Sequence, residues 1–433
     1  MENILEVSIF GKKAGVLAWE NKFTPGIFEF YDSFALTGLD IAPLTMPLAS
    51  VQRGDKIFRF NENQGKTFKG LPGMLADSLP DDYGNAVIDE YFASKGISPV
   101  EVSVADRLAY IGKRAMGALE FKPAVRDKSL NDSTLIRLDL LKSLAAEILN
   151  EREKFQASLQ NNEQAVKDIL TVGTSAGGAK AKAVIAWNEN TNEVRSGQVK
   201  APAGFTYWIL KFDGVEDKKL RDNPLGIGRI EYAYHRMAVD CGITMTDCRL
   251  FPDGKYAHFM TRRFDRLDDG SKLHTQTLCA IAHMDRDGRY SYEQVFGVMR
   301  RLHLSGADME QFYRRMVFNV VARNQDDHTK NHSFIMTETG EWKLAPAYDL
   351  LYAYSPSGKW TSQHQLSLNN KRDDFEHSDL LAVAKNMGIR SATAIIDQTL
   401  EIVSSWRSYA QDAGVIPEHI EYIAKNHRML RES

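Results

Sequence analysis

Three residues between Asn324 and Asp349, in NQDDHTKNHSFIMTETGEWKLAPAYD, have the types and order that phosphoryl transfer requires. Asp326 is followed after four intervening residues by Asn331, and an isolated acid, Asp349, closes the next apolar run. A kinase-type site uses an aspartate to accept the hydroxyl proton, an asparagine to hold one Mg2+, and a second aspartate to hold metal against the phosphates. Asp-x4-Asn recurs by chance in many chains. Its meaning depends on whether a phosphate loop, a lysine and a helix glutamate precede it in order. A second chemistry stays open, because Asp326, Asp327 and His328 are also ligand types for a metal-dependent hydrolase.

The upstream parts are present in that order. A β-branched run enters a loop of Gly173, Thr174, Ser175, Ala176, Gly177, Gly178 and Ala179, and a strand-like run, Ala183 to Trp187, leaves it. Small residues let backbone N–H groups approach an anion, and the loop hydroxyls and Lys180 and Lys182 stand beside them. The loop is not a Walker A motif, since GK[ST] is missing, and a flexible glycine hairpin remains the alternative. Lys211 falls near the end of an apolar strand, FTYWILKF, where a lysine is costly unless it is paired or serves a ligand; protection of a sheet edge is the other explanation. Ile227, Ile230, Tyr234, Met237 and Ala238 keep helical spacing, and Glu231 lies among them. Taken alone, Glu231 reads as part of a solvated face. A strand over Tyr256 to Phe264 then leads to Asp265-Arg266, where a kinase-like order joins its two lobes.

The elements that carry these residues are those of an ordinary globular protein. The chain has 433 residues, 43% hydrophobic and 26% charged, which predicts two or three domains and excludes compositional disorder. A net charge of -3 argues against strong non-specific DNA binding by the chain alone. Cys241, Cys248 and Cys279 form no CxxC pair and read as small buried hydrophobes in a reducing cytoplasm. No apolar run approaches the roughly 18 residues of a membrane helix, and the N-terminal stretch lacks a signal-peptide core, so a soluble, cytoplasmic protein is expected with no membrane partner.

Residues 1–122 predict a small antiparallel sheet followed by helices, one opened by Asp81-Asp82 and closed by Gly96, another over Val104 to Ile111. The polar stretch 123–132 reads as a boundary, after which Ser133-Thr134 opens a long helix that runs out near Asn161. Glu310 to Val321 is a helix that delivers the chain to Asn324. Three further helices are expected from about Ser378: 379–388, 391–414 and 417–430. The expected fold is therefore α+β and bilobal, with a strand-rich N-terminal half and an all-helical C-terminal lobe, divided at 1–122, 123–264 and 265–433.

With glycine loop, strand lysine, helix glutamate, Asp-x4-Asn and metal aspartate in order, the chain resembles the HipA family of serine/threonine-protein kinases, the toxin halves of bacterial toxin–antitoxin pairs. The resemblance covers nearly the whole chain and is carried most specifically by GMLADSLPDDYG, SAGGAKAK, RRFDR, DDHTKN and APAYDL. It implies a protein-kinase-like fold, ATP and Mg2+ as cofactors, a protein substrate such as an aminoacyl-tRNA synthetase, and a HipB-like antitoxin through which DNA is met indirectly. It further implies Asp326 as catalytic aspartate, with His328 and Lys330 in its loop, Asn331 and Asp349 as metal ligands, and Lys211 on the ATP phosphates. Gly173 to Gly178 and Lys182 fall in its phosphate loop, and Arg263, Phe264 and Asp265 where the family holds adenine through the backbone. Glu231 matches the partner glutamate of the lysine, and Ser175, or Thr174, the autophosphorylated hydroxyl that switches the kinase off. Two departures stand out. Asp327 occupies a position that is glycine in some relatives, and Asp349 is followed by Leu350-Leu351 with neither a DFG glycine nor an APE sequence. Non-enzymatic corepression with an antitoxin and small-molecule phosphorylation are the alternatives the resemblance leaves.

Overall fold

The computed structural model describes residues 3–21, 24–125, 130, 133–150, 172–173, 180–215 and 226–430. They form two compact units: residues 1–225, 251–276 and 336–341 make the first, and 226–250, 277–335 and 342–433 the second.

Two five-stranded sheets lie mostly in the first unit. Strands β1 (Ile4–Ile9), β2 (Lys12–Ala18), β3 (Ile27–Phe30), β4 (Ile57–Arg59) and β5 (Leu119–Lys122) lie in the order β4-β3-β2-β1-β5. Alternation along β1 puts Leu5, Val7 and Ile9 into the core, each with no exposed surface, as a half-buried strand requires. The helix Asp82–Ser94 starts where the Asp81 carboxylate accepts the Gly84 N–H at 2.7 Å, and Gly96 follows its end at φ 77°. The helix Val104–Ile111 is opened by a reciprocal Ser103–Asp106 capping box.

The second sheet comprises β6 (Lys182–Asn188), β7 (Glu193–Ser196), β8 (Thr206–Lys211), β9 (Cys248–Asp253) and β10 (Tyr256–Arg262), ordered β7-β6-β8-β10-β9. Central β8 runs antiparallel to both neighbours, so Lys211 pairs in register with Lys182 on β6 and with Phe259 on β10. The chain leaves β10 through a buried charge cluster. Asp265 accepts from Arg263 at 2.9 and 2.8 Å, from Arg266 at 2.7 Å and from the Gly117 N–H at 2.7 Å, and no side chain in the pairings is more than 3% exposed.

The second unit is helix-rich. Its central helix, Gly306–Val321, opens with a Ser305–Asp308 capping box and buries Phe312, Met316, Phe318, Val320 and Val321 completely. The helix Ile227–Asp240 places Tyr234, Met237 and Ala238 in the core, and Tyr234 donates to the Ala322 carbonyl at 2.7 Å. Among the described residues, no helix is long and apolar enough to cross a membrane. All three cysteines are buried thiols, as their spacing suggested.

Three expectations need correction. The C-terminal lobe is not all-helical: residues 265–433 include short strands at His274–Thr277, Tyr290–Ser291, Ser333–Met336, Trp342–Leu344 and Leu366–Ser367. Strands of two to four residues are too short for alternation to show in a sequence. Ser133-Thr134 does not open the long helix. Leu135 bridges to Arg195 and is 54% exposed, and the helix begins at Leu138; its expected end near Asn161 lies outside the described residues. The helix expected over 391–414 is two, Ala392–Ser404 and Trp406–Asp412, divided at Ser405.

Candidate active site

In the second unit, Asp326 and Asn331 share the loop after the helix Gly306–Val321, and Asp349 follows the strands Ser333–Met336 and Trp342–Leu344. After the central helix, Arg323 turns the chain at a left-handed φ of 55°, and Asn324 donates from its backbone to the Asn319 carbonyl at 3.0 Å. The Asn324 side chain is buried, bonds the Asn319 amide oxygen at 2.9 Å, and reaches the Asp349 carbonyl at 3.4 Å. Asn331 donates its Nδ2–H to the Asp326 carbonyl at 2.8 Å, which fixes the amide and directs its Oδ1 away from that bond. Asp326 keeps 39% of its side chain exposed, so its carboxylate can meet an incoming hydroxyl. Asp349 is itself left-handed, at φ 53°, a conformation costing a non-glycine residue about 1–3 kcal/mol and characteristic of functional positions.

The loop's other members support this core. His328 Nε2 stands 3.8 Å from Asp326 Oδ1. Burial first, and Arg286 second, pull its pKa down to about 4 against the opposing charge of Asp349, so near neutral pH the contact is not an ion pair. Lys330 contributes its carbonyl, which accepts from the Tyr348 hydroxyl at 2.7 Å; Tyr348 also shares a 2.5 Å bond with Ser333. Both contacts hold the run that ends in Asp349.

The Asp327 side chain is held by protein partners. Its carboxylate is buried, with no exposed side-chain surface, and takes hydrogen bonds from Tyr292 at 2.6 Å, His364 at 2.8 Å and the Gln365 N–H at 2.7 Å. Burial alone would raise its pKa, but the charge of His364 and these hydrogen bonds bring it below the usual carboxylate range. A hydrolase centre built from Asp326, Asp327 and His328 is therefore disfavoured. Among the described residues no three His, Cys, Asp or Glu side chains gather as a possible metal site. A Mg2+ bound through one or two oxygen ligands and substrate phosphates needs no such cage, and the hard oxygens of Asn331 and Asp349 fit that ion.

The first unit carries the expected phosphate-side residues. Lys211 ends β8, half-buried, with its ammonium 5.6 Å from the centre of the Phe259 ring. Lys182 is 3% exposed and pairs with Asp81 at 2.5 Å. Gly173 is described and buried, whereas Thr174, Ser175, Ala176, Gly177 and Gly178 lie outside the described residues. The Arg263 and Asp265 side chains engage each other, and the Arg263 N–H donates to the Tyr207 carbonyl at 2.8 Å. Glu231 is buried, at 4% exposure, on the helix Ile227–Asp240 of the second unit. Sequence reasoning missed Asp81, Tyr292 and His364 as partners of site residues.

A strand-rich unit with a lysine-bearing antiparallel sheet, and a helix-rich unit with the Asp–Asn–Asp loop, make a mixed α+β, protein-kinase-like fold. Residues 5–122 match the HipA N-terminal domain and residues 174–406 the HipA-like C-terminal domain; the chain belongs to the HipA family. HipA of Shewanella oneidensis MR-1, solved with HipB and its operator DNA, superposes with a TM-score of 0.61 at 17% identity, covering 97% of this chain and 94% of that one. A relative in Sinorhizobium fredii named "Putative kinase Y4dM" is 29% identical over 235 residues, 50% of this chain and 55% of the relative. Another kinase-named relative, from Haemophilus influenzae, is 23% identical over 39% of this chain and 58% of its own length. The chain thus spans about half the length of these curated relatives.

Proposed function

We propose that this protein is a Mg2+-dependent kinase that transfers the γ-phosphoryl group of ATP to a serine or threonine of a protein. The observation that carries this proposal is the anchoring of the Asn331 amide on the Asp326 carbonyl beside a left-handed Asp349. These contacts support a base and two oxygen ligands at Asp326, Asn331 and Asp349, and phosphoryl transfer asks mainly for positioning and charge neutralisation. Asp326 orients the substrate hydroxyl and accepts its proton. Asn331 and Asp349 hold Mg2+, which supplies neutralisation of the phosphate charge. Lys211 and the glycine-rich loop with Lys182 serve the ATP phosphates, Glu231 stands at the position of the family's helix glutamate, and the backbone around Arg263, Phe264 and Asp265 serves the adenine.

Ser175, or Thr174 beside it, is the proposed autophosphorylation switch. A phosphate there adds roughly -1.5 to -2 charge to a loop meant to hold phosphates. The Shewanella HipA complex supports a HipB-like antitoxin as partner, with DNA met through it, and a translation-related protein such as an aminoacyl-tRNA synthetase as substrate follows from the family resemblance. Incubation with labelled ATP and Mg2+ tests the chemistry: wild type takes up label and Asp326→Asn does not. Equal labelling of both proteins, or none in wild type, refutes it. Phosphoproteomics after brief induction, comparing wild type with Asp326→Asn, identifies the substrate.

A further inference from the structure

The stretch that follows Asp349 has neither of the sequence marks of a phosphorylation-controlled activation segment, yet hydrogen bonds fasten it to the catalytic loop. The Ala353 N–H donates to the Arg323 carbonyl at 3.1 Å, and its carbonyl accepts the Gln325 N–H at 3.2 Å. The Gln325 side chain donates to the Thr361 carbonyl at 3.3 Å. His364 Nδ1 and the Gln365 N–H then meet the two oxygens of Asp327 at 2.8 and 2.7 Å. Immediately beyond, Leu366-Ser367 pairs in parallel with Tyr290-Ser291.

At the Asp327 contact the loop supplies a full negative charge, and the contact is built as a closed network. Tyr292 donates to the same oxygen as His364, and Asn319 donates to the Tyr292 hydroxyl at 3.1 Å. His364 is gripped from behind: its carbonyl accepts Arg372 Nε at 2.7 Å, and its N–H donates to the Arg372 carbonyl at 3.0 Å. Neither the Asp327 nor the His364 side chain is exposed. A buried, charge-assisted hydrogen bond is stronger than a neutral one, and such a carboxylate has few alternative partners.

We infer that Asp327 is a positioning residue that locks residues 352–372 onto the catalytic loop through His364, so that this segment is assembled without being phosphorylated. Where phosphorylation orders an activation segment, the anion is added to the segment and finds an arginine. Here the anion is permanent and sits in the loop, one residue after Asp326, and the segment supplies the acceptor's partner. Pulling Asp327 out of place moves Asp326 with it. The inference rests on the phosphotransfer proposal for what Asp326 does, and concerns how the same site is regulated.

Four variants test it: Asp327→Asn, Asp327→Ala, His364→Leu, and His364→Asn, whose amide nitrogen takes the place of Nδ1. Kinetics are read together with the rate of tryptic cleavage after the exposed Lys359. His364→Leu and Asp327→Ala lower kcat about a hundredfold, the scale of an ångström of misplacement, with KM for ATP nearly unchanged. Both cleave much faster after Lys359, and Asp327→Asn falls between them and wild type. His364→Asn restores kcat and protection to near the wild-type level, which a merely space-filling role does not allow. Wild type treated with phosphatase until peptides from 352–372 carry no phosphate by mass spectrometry keeps its activity. Equal loss in His364→Asn and His364→Leu, wild-type cleavage in Asp327→Ala, or inactivation by the phosphatase overturns the inference. If wild type transfers no phosphate at all, the kinase proposal fails, while the cleavage rates still decide whether the anchor exists.

Discussion

Asp265→Asn separates a structural carboxylate from a nucleotide-binding one. The carboxylate accepts from Arg263 twice, from Arg266 once and from the Gly117 N–H, all with no more than 3% exposure, so solvent screens none of it. Burial pushes the Asp265 pKa up, but the two guanidiniums and these hydrogen bonds prevail and hold it far below the usual carboxylate range. The amide would leave Arg263 and Arg266 as two like charges in the interior, and removing one partner of a buried pair costs about 3–5 kcal/mol. With an m-value of about 3 kcal/mol/M, the urea midpoint falls by roughly 1–2 M. The same carboxylate sets a pH dependence. Its folded pKa is depressed, so its contribution is complete above the unfolded value of about 4 and is lost as pH falls below it; Asp265→Asn flattens that acid limb. The measurement is urea denaturation followed by tryptophan fluorescence from pH 7 to pH 2. A loss below about 1 kcal/mol, accompanied by a large rise in KM for ATP, refutes the structural role and returns Asp265 to the nucleotide site.

Lys182→Met strands Asp81 in a buried position and is expected to cost about 3–5 kcal/mol, of which Asp81→Asn/Lys182→Met recovers a part; a double-mutant cycle on unfolding free energies checks this. His274 and His427 are buried, and burial lowers both pKa values to about 3. Their folded values lie below the unfolded value of about 6.5, so the stability they contribute is complete above pH 6.5 and is lost as pH falls from there, by at most about 1.4 kcal/mol per pH unit for each histidine. His274→Gln and His427→Gln each reduce that slope in denaturant titrations between pH 6.5 and pH 4.

The candidate site was legible where chemistry is written in short spacings. Asp326, Asn331 and Asp349 stood out because they lie close in sequence, and hydrogen bonds tie Asn331 to the Asp326 carbonyl and Asn324 to the Asp349 carbonyl. The strand that ends in Lys211 and the helix with Glu231 followed from apolar periodicity. The partners were not legible. Asp81 and Lys182 lie 101 residues apart, Asp327 and His364 37, and Gly117 and Asp265 148, and no local pattern announces a pairing across such distances. Each of these acids was nonetheless visible beside a motif, Asp81 as a helix cap, Asp327 next to the catalytic position and Asp265 after β10. Tertiary contact gave them second roles. Short strands such as Tyr290–Ser291 and Leu366–Ser367 escaped for a different reason: two residues are too few for side-chain alternation to show.

The proposed site has Asp326 as base and Asn331 and Asp349 as metal ligands. A Mg2+ titration of ATP-dependent phosphoryl transfer, on wild type, Asp326→Asn, Asn331→Ala and Asp349→Asn, tests it most directly. Asp326→Asn should lower kcat about 10²–10⁴-fold with the Mg2+ requirement unchanged, the range for losing a general base. Asn331→Ala and Asp349→Asn should shift the Mg2+ requirement upwards. A Mg2+ requirement that moves in Asp326→Asn and stays fixed in the other two contradicts these assignments.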